Sequence, residues 1–181
     1  MNPWTTREST VVYENPWIRV REDAVDGPDG TPGIYGVVEV RHPAVFVVPL
    51  TDDDEVVLVE VARYATGTLS LEVPAGGSDG EDLVLAAQRE LREETGLAAT
   101  SWQRVGTMFA LNGVCDAIEH VFLARGLRTA DEAAEQAAEG ITGTRTVPWS
   151  EVMGLVQDGT ITDGETVAAL MYAAIALGRV S

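Results

Sequence analysis

The chain has 181 residues, enough for one domain with a real core, and 45% of them are hydrophobic, which excludes a disordered chain. Its net charge of −17 comes from 29 acidic residues against 12 arginines, with no lysine, a balance that repels nucleic-acid backbones and anionic membrane surfaces. No apolar run approaches the roughly 18 residues of a membrane span, and the first residues lack the basic-then-apolar order of a signal peptide. Cys115 is the single cysteine and reads as a small apolar filler, so a reducing cytoplasm is the expected compartment.

In chain order, residues 10–41 predict three short strands, Thr10–Tyr13, Ile18–Arg21 and Gly36–Val40, separated by Asn15-Pro16 and the turn-rich Asp26–Gly30. Ala44–Leu50 is a continuous apolar run, as expected for a strand buried on both faces. Asp52-Asp53-Asp54 then makes an acidic hairpin turn; it lacks the ligand alternation, glycine and terminal Glu of a calcium loop. Strands follow at Glu55–Val61 and Leu69–Val73. A helix over about Asp82–Thr95 has Leu83, Ala86, Ala87 and Leu91 as its apolar stripe. Further strands are predicted at Trp102–Ala110, Ile118–Ala124 and Thr144–Val147. The segment Thr129–Ala138, rich in Ala and Glu, is either helix-prone or a mobile acidic loop. A helix spans Glu151–Gln157, and Asp163 caps a last one that runs through Leu177 to Gly178. Strands mixed irregularly with about three helices imply an α+β sheet packed between helices.

The chemistry concentrates between Pro74 and Leu97. On a helix, Glu90 and Glu94 lie one turn apart and point the same way, with Glu93 flanking them. Like charges packed together cost stability, so a cation is their natural partner, and hard oxygen donors suit Mg²⁺ or Mn²⁺. The net charge adds a second requirement: a phosphorylated substrate approaches this chain only where bound metal inverts the local field.

The stretch Glu81, seven residues, Arg89-Glu90-Leu91-Arg92-Glu93-Glu94-Thr95-Gly96-Leu97 resembles the Nudix box at every set position and at both fixed spacings. One departure precedes it: Gly76 to Glu81 encloses four residues where the box has five, so either the loop is one residue short or Ala75 holds the glycine position. The resemblance implies an α/β/α sandwich with a mixed central sheet. It implies Glu90 and Glu94 as principal metal ligands, Glu93 assisting, the carbonyl of Ala75 completing the shell, and Arg89 orienting Glu93. Glu81 has two readings, a helix-start charge at the positive dipole end or a metal ligand.

A looser similarity over most of residues 10–175 points to the ADP-ribose pyrophosphatase-like branch, carried by Val57–Tyr64, Leu71–Gly76 and Asp158–Asp163. Where that branch has Gln before its Arg-Tyr segment, this chain has Val61-Ala62. The branch implies Arg63 and Glu72 as substrate contacts, although Arg63 also reads as a strand-end surface arginine. Its catalytic base is a glutamate on a late loop, which selects among Glu132, Glu135 and Glu139 and favours Glu139. Trp17 either stacks on a base or packs in a core or dimer contact; His120 is packed or on the surface.

These readings imply metal-dependent hydrolysis of a nucleoside diphosphate linked to another moiety, ADP-ribose or a nucleotide sugar, by a homodimer that binds neither nucleic acid nor membrane. The alternatives are a triphosphate or other organic pyrophosphate hydrolase and a non-catalytic ligand-binding regulator. Residues 1–43 form the expected small antiparallel sheet and dimerisation element, and residues 44–181 the hydrolase domain.

Overall fold

The computed structural model describes residues 3–131, 134, 136 and 140–180. Its elements are β1 (Thr5–Glu14), β2 (Ile18–Asp26), β3 (Pro32–Val40), β4 (Ala44–Pro49), β5 (Glu55–Arg63), β6 (Thr68–Glu72), β7 (Ala75–Gly77), α1 (Leu83–Thr95), β8 (Leu97–Phe109), β9 (Cys115–Asp116), β10 (Ile118–Thr129), β11 (Ile141–Pro148), α2 (Trp149–Gln157) and α3 (Gly164–Ala176). The chain divides into two compact units, residues 1–43 with 109–118, and residues 44–108 with 119–181.

The first unit is one sheet in the order β1-β2-β3-β9. Its three long strands are antiparallel, and β9 joins parallel through Val38 opposite Cys115. The β2–β3 turn is set by Gly30 at φ 79° and by Asp29, whose carboxylate accepts from the Thr31 amide at 2.9 Å.

The second unit has two sheets, β7-β4-β10-β8 and β11-β5-β6. Inner strand β4 pairs parallel with β10 and antiparallel with β7. The apolar run is continuous because both faces of this strand are covered. Val45, Val47, Phe122 and Ala124 pack with Ala86, Ala87 and Leu91 of α1, while Phe46, Val48, Val121 and Leu123 pack with Leu58, Leu170 and Ala173 on the α3 side. The result is the expected sheet between helical layers.

Helix boundaries follow their caps. Asp82 accepts from the Val84 amide at 2.9 Å to start α1, Gly96 ends it in the left-handed conformation at φ 69°, and Asp163 accepts from the Thr166 amide at 2.7 Å to start α3. Most strands run longer than expected, β8 and β10 among them. Gly96 turns the chain straight into β8, five residues before Trp102. Downstream, β10 continues through Gly126 at φ 65° to Thr129, so the Thr129–Ala138 segment begins as strand; most of the remainder lies outside the described residues.

Helix α3 seats itself on β8 by a close approach at Gly106, where an added Cβ would meet the Tyr172 ring at 2.5 Å and the Tyr172 hydroxyl donates to the Thr107 carbonyl at 3.0 Å. Gly106→Ala should therefore cost about 1–3 kcal/mol, because a ring wedged against backbone cannot swing away. A lowered urea midpoint at unchanged slope is the expected result; an unchanged midpoint would show that the ring yields freely.

Candidate active site

The turn before α1 is set by backbone geometry. Asp79 and Gly80 both have positive φ, 50° and 84°, and the Glu81 amide donates to the Ser78 carbonyl at 2.9 Å. That is the two-residue reversal that Asp-Gly favours. It delivers Asp82 to the cap position and turns Glu81 back toward the helix. The Glu81 carboxylate accepts from Arg89 Nε at 2.7 Å, and the helix-start role falls to Asp82.

Arg89 is the hub of this network. Besides Glu81 it donates to Glu90 at 2.7 Å, to Glu93 at 3.1 Å and to the Gly77 carbonyl at 2.7 Å. Its partial burial by itself would lower its pKa, but hydrogen bonds and charges from Glu81, Glu90 and Glu93 outweigh that and push the pKa up, so it stays cationic at any working pH. Glu93 is held from a second side by Arg92 at 2.8 Å.

Glu90 and Glu94 are each 6% exposed, a depth at which carboxylates need compensation. Both abut the β7 backbone. The Ala75 amide donates to Glu94 Oε2 at 3.1 Å, and a Cβ built on Gly76 would stand 2.2 Å from Glu90 Oε1. Gly76 is therefore the absent side chain that lets the Glu90 carboxylate lie against the strand. The one-turn pairing of Glu90 and Glu94 holds, and it brings them to the stretch carrying the Ala75 carbonyl. Among the described residues no three carboxylate, imidazole or thiolate groups converge into a ready-made cation cage, because Glu93 is turned to Arg89 and Arg92. Counted locally, the carboxylates of Glu81, Glu90, Glu93 and Glu94 outnumber the guanidiniums of Arg89 and Arg92, and a hard divalent cation at Glu90 and Glu94 fits that excess.

Arg63 forms a two-point pair with Glu72, Nε to Oε1 at 2.9 Å and Nη2 to Oε2, with Glu72 only 2% exposed. That hydrogen-bonded pairing holds the Arg63 pKa above its usual value, with the charges of Asp163 and Glu94 adding to it. Both line a cavity of about 440 Å³ with the hydroxyl side chains of Thr66, Thr68, Ser70 and Thr162 and with Asp163. Arg63 is thus anchored at a cavity wall rather than loose at a strand end. Trp17 is 71% exposed at the β1–β2 turn of the first unit, which removes a core-packing role. His120 is packed, 8% exposed, with its Nδ1 3.1 Å from Thr107 Oγ1; burial holds its pKa below the usual imidazole value. The three late-loop candidates, Glu132, Glu135 and Glu139, lie outside the described residues.

Sequence reasoning passed over Glu119. It sits in β10, 7% exposed, with Oε2 buried and without a hydrogen-bond partner among the described residues. Burial, together with the charges of Glu165 and Asp163 at the start of α3, pushes its pKa up to about 7. Glu119 reads as one more charged residue in an acidic chain; only the pairing of β10 into the sheet shows that it is buried.

The box helix, its glycine turn and the carboxylates on the strand backbone define a Nudix hydrolase. Residues 40–170 match the NUDIX domain, and residues 4–38 match the nucleoside diphosphate sugar hydrolase N-terminal domain; the chain belongs to the Nudix family. Nudix hydrolases work with a divalent cation. Among its relatives are the ADP-ribose pyrophosphatase of Mycobacterium tuberculosis (strain ATCC 25618 / H37Rv), 33% identical over 92% of this chain and 81% of that protein, and that of Bacillus subtilis (strain 168), 32% identical over 74% and 73%. The methanol dehydrogenase activator of Bacillus methanolicus is 28% identical over 92% and 90%. The crystal structure of an ADP compounds hydrolase superposes with a TM-score of 0.84 over 98% of this chain and 97% of that one, at 21% identity, a likeness of fold.

Glu119 generates a pH prediction. A folded-state pKa of about 7 against an ordinary 4.5 means that the native state holds this proton more tightly than the unfolded chain. Its stabilising contribution is complete below about pH 4.5 and is lost as pH rises through 7. Glu119→Gln should therefore gain roughly 1–3 kcal/mol over the parent at pH 8 and little at pH 4.5. Urea melts of both proteins across that range check it; a gain independent of pH would detach the effect from this carboxyl.

Proposed function

We propose that this hydrolase cleaves the pyrophosphate bond of a nucleoside diphosphate joined to a second moiety, ADP-ribose or a nucleotide sugar, releasing a nucleoside monophosphate and a sugar phosphate. The observation that carries the reading is the Glu90–Glu94 pair against the Ala75–Gly76 backbone, in the same unit as a hydroxyl-rich cavity walled by Arg63 and Glu72. Two of the relatives are named for ADP-ribose. A polar cavity of this lining suits a sugar, whose hydroxyls both donate and accept.

Glu90, Glu94 and the Ala75 carbonyl would hold the divalent ion, Mg²⁺ or Mn²⁺, with Glu93 assisting once it leaves an arginine. When bound, such an ion neutralises phosphoryl charge and lowers the pKa of water. Arg89 holds the Glu90 carboxylate in place, so that this ligand needs little reorganisation on binding. Arg63, oriented by Glu72, contacts the diphosphate or a ribose hydroxyl, and Trp17 offers an exposed indole for stacking on a base. Glu139 takes the proton from the attacking water. The reducing cytoplasm suits such a substrate; among the described residues no helix is long and apolar enough to cross a membrane.

A metal-dependent phosphate-release screen over nucleotide sugars, dinucleotides and triphosphates tests the substrate class. Turnover of triphosphates alone would replace it, and no turnover of any would favour a binding role. Within the active class, Glu94→Gln should cut turnover by roughly two orders of magnitude or more with the fold intact, since it removes a charged ligand. Glu139→Gln should lower kcat more than metal affinity. Full activity of Glu94→Gln at low millimolar Mg²⁺, or a large rate loss in Glu135→Gln instead of Glu139→Gln, would reassign those roles.

The active form is proposed as a homodimer using the 10–41 strands. A small sheet is marginally stable unless its apolar face is covered, and Val11, Val12, Tyr13, Trp17 and Ile34 are all exposed there. Light scattering of the purified chain should give twice the 19.3 kDa chain mass; a clean monomer would remove the dimer.

A further inference from the structure

Both oxygens of Glu93 are taken by arginines: Oε1 accepts from Arg92 at 2.8 Å and Oε2 from Arg89 at 3.1 Å. Glu90, Glu93 and Glu94 stand at i, i+3 and i+4 on α1, which is one face of the helix, so Glu93 can turn toward the other two by a change of rotamer. Among the described residues three such groups do not converge, and the two pairings are what hold Glu93 aside.

The two arginines are not equivalent. Arg89 also donates to Glu81, Glu90 and the Gly77 carbonyl, each at 2.7 Å, and these contacts are shorter than its bond to Glu93. They keep its guanidinium in place when Glu93 leaves. Arg92 stands in the last turn of α1 with its side chain 32% exposed, and it lines a cavity of about 520 Å³ with Arg89, Gln88, Trp102 and Arg128. That space lets the Arg92 side chain draw back when the pair separates. An ion pair this exposed is weak, yet it opposes any event that needs Glu93 elsewhere.

We propose that Arg92 is a positioning residue that competes with the divalent cation for Glu93, and so sets how tightly the Glu90–Glu94 site holds its metal. The proposal rests on the reading of Glu90 and Glu94 as ligands. Two other effects of Arg92 leave different signatures. Its charge near the C-terminal end of α1 favours the helix dipole, which moves stability rather than metal affinity. Its charge also repels a nearby cation, and that repulsion is the same with or without the Glu93 carboxylate.

The test is Mn²⁺ binding to the full chain, read from the electron paramagnetic resonance signal of free Mn²⁺ at fixed ionic strength. The parent, Arg92→Gln, Glu93→Gln and the double variant form a cycle. Arg92→Gln should tighten binding about three- to fivefold, the scale of one such pair, and in the Glu93→Gln background it should change binding by less than about twofold. Arg92→Met, which keeps the aliphatic stem, should match Arg92→Gln and decides the matter if that variant does not fold. Glu94→Gln is the control for the site and should weaken binding about tenfold or more. If it does not, the ligand reading fails and this proposal with it. If Glu94→Gln weakens binding while Arg92→Gln leaves it unchanged, or tightens it equally with and without Glu93, the ligand reading stands and the proposal for Arg92 is overturned.

Discussion

The guanidinium of Arg89 sits among the carboxylates of Glu81, Glu90 and Glu93 and the carbonyl of Gly77, and the rest of the site is arranged around it. It ties three pieces of chain together: the end of β7, the turn after it, and the second half of α1. Without a cation there, two carboxylates only 6% exposed would face one another across a helical turn. A planar, five-donor group can meet several acceptors at once, which an ammonium on a flexible stem does less well. A chain with twelve arginines and no lysine has only this kind of cation to use.

The same electrostatic constraint recurs on the α3 side of the sheet with a different solution. Glu72 is satisfied by Arg63, whereas Glu119 has like-charged neighbours in Glu165 and Asp163 and retains a proton up to about pH 7. Burial first, and the neighbouring acids second, make the unpaired Glu119 carboxyl hold its proton more tightly. Both outcomes occur in one unit, and the sheet position of each residue decides which applies.

Backbone chemistry matters as much as charge. Gly76 leaves room for Glu90, and the Asp79-Gly80 reversal leads into the helix cap at Asp82. The carboxylates therefore reach their places although the spacing before the box departs from the family pattern.

The sequence by itself determined the family, the box helix with its Asp82 and Gly96 ends, the one-turn pairing of Glu90 with Glu94, and β4 as a strand covered on both sides. These are legible because they depend on fixed spacing: 3.6 residues per turn, local caps, and an unbroken apolar run. Strand extent was less legible. Leu97–Ser101 and Arg125–Thr129 carry mixed, half-exposed side chains, and they become strand only when a neighbouring strand supplies their hydrogen bonds. Tertiary structure alone decided that Glu81 serves Arg89 rather than a helix end, that Trp17 is exposed, that Arg63 is anchored by Glu72, and that Glu119 is buried. Each of these depends on residues far apart in sequence, or on a turn whose hand no spacing rule specifies. Burial and charge pairing are properties of assembled surfaces, so they follow from how strands and helices meet rather than from the order of residues within any one of them.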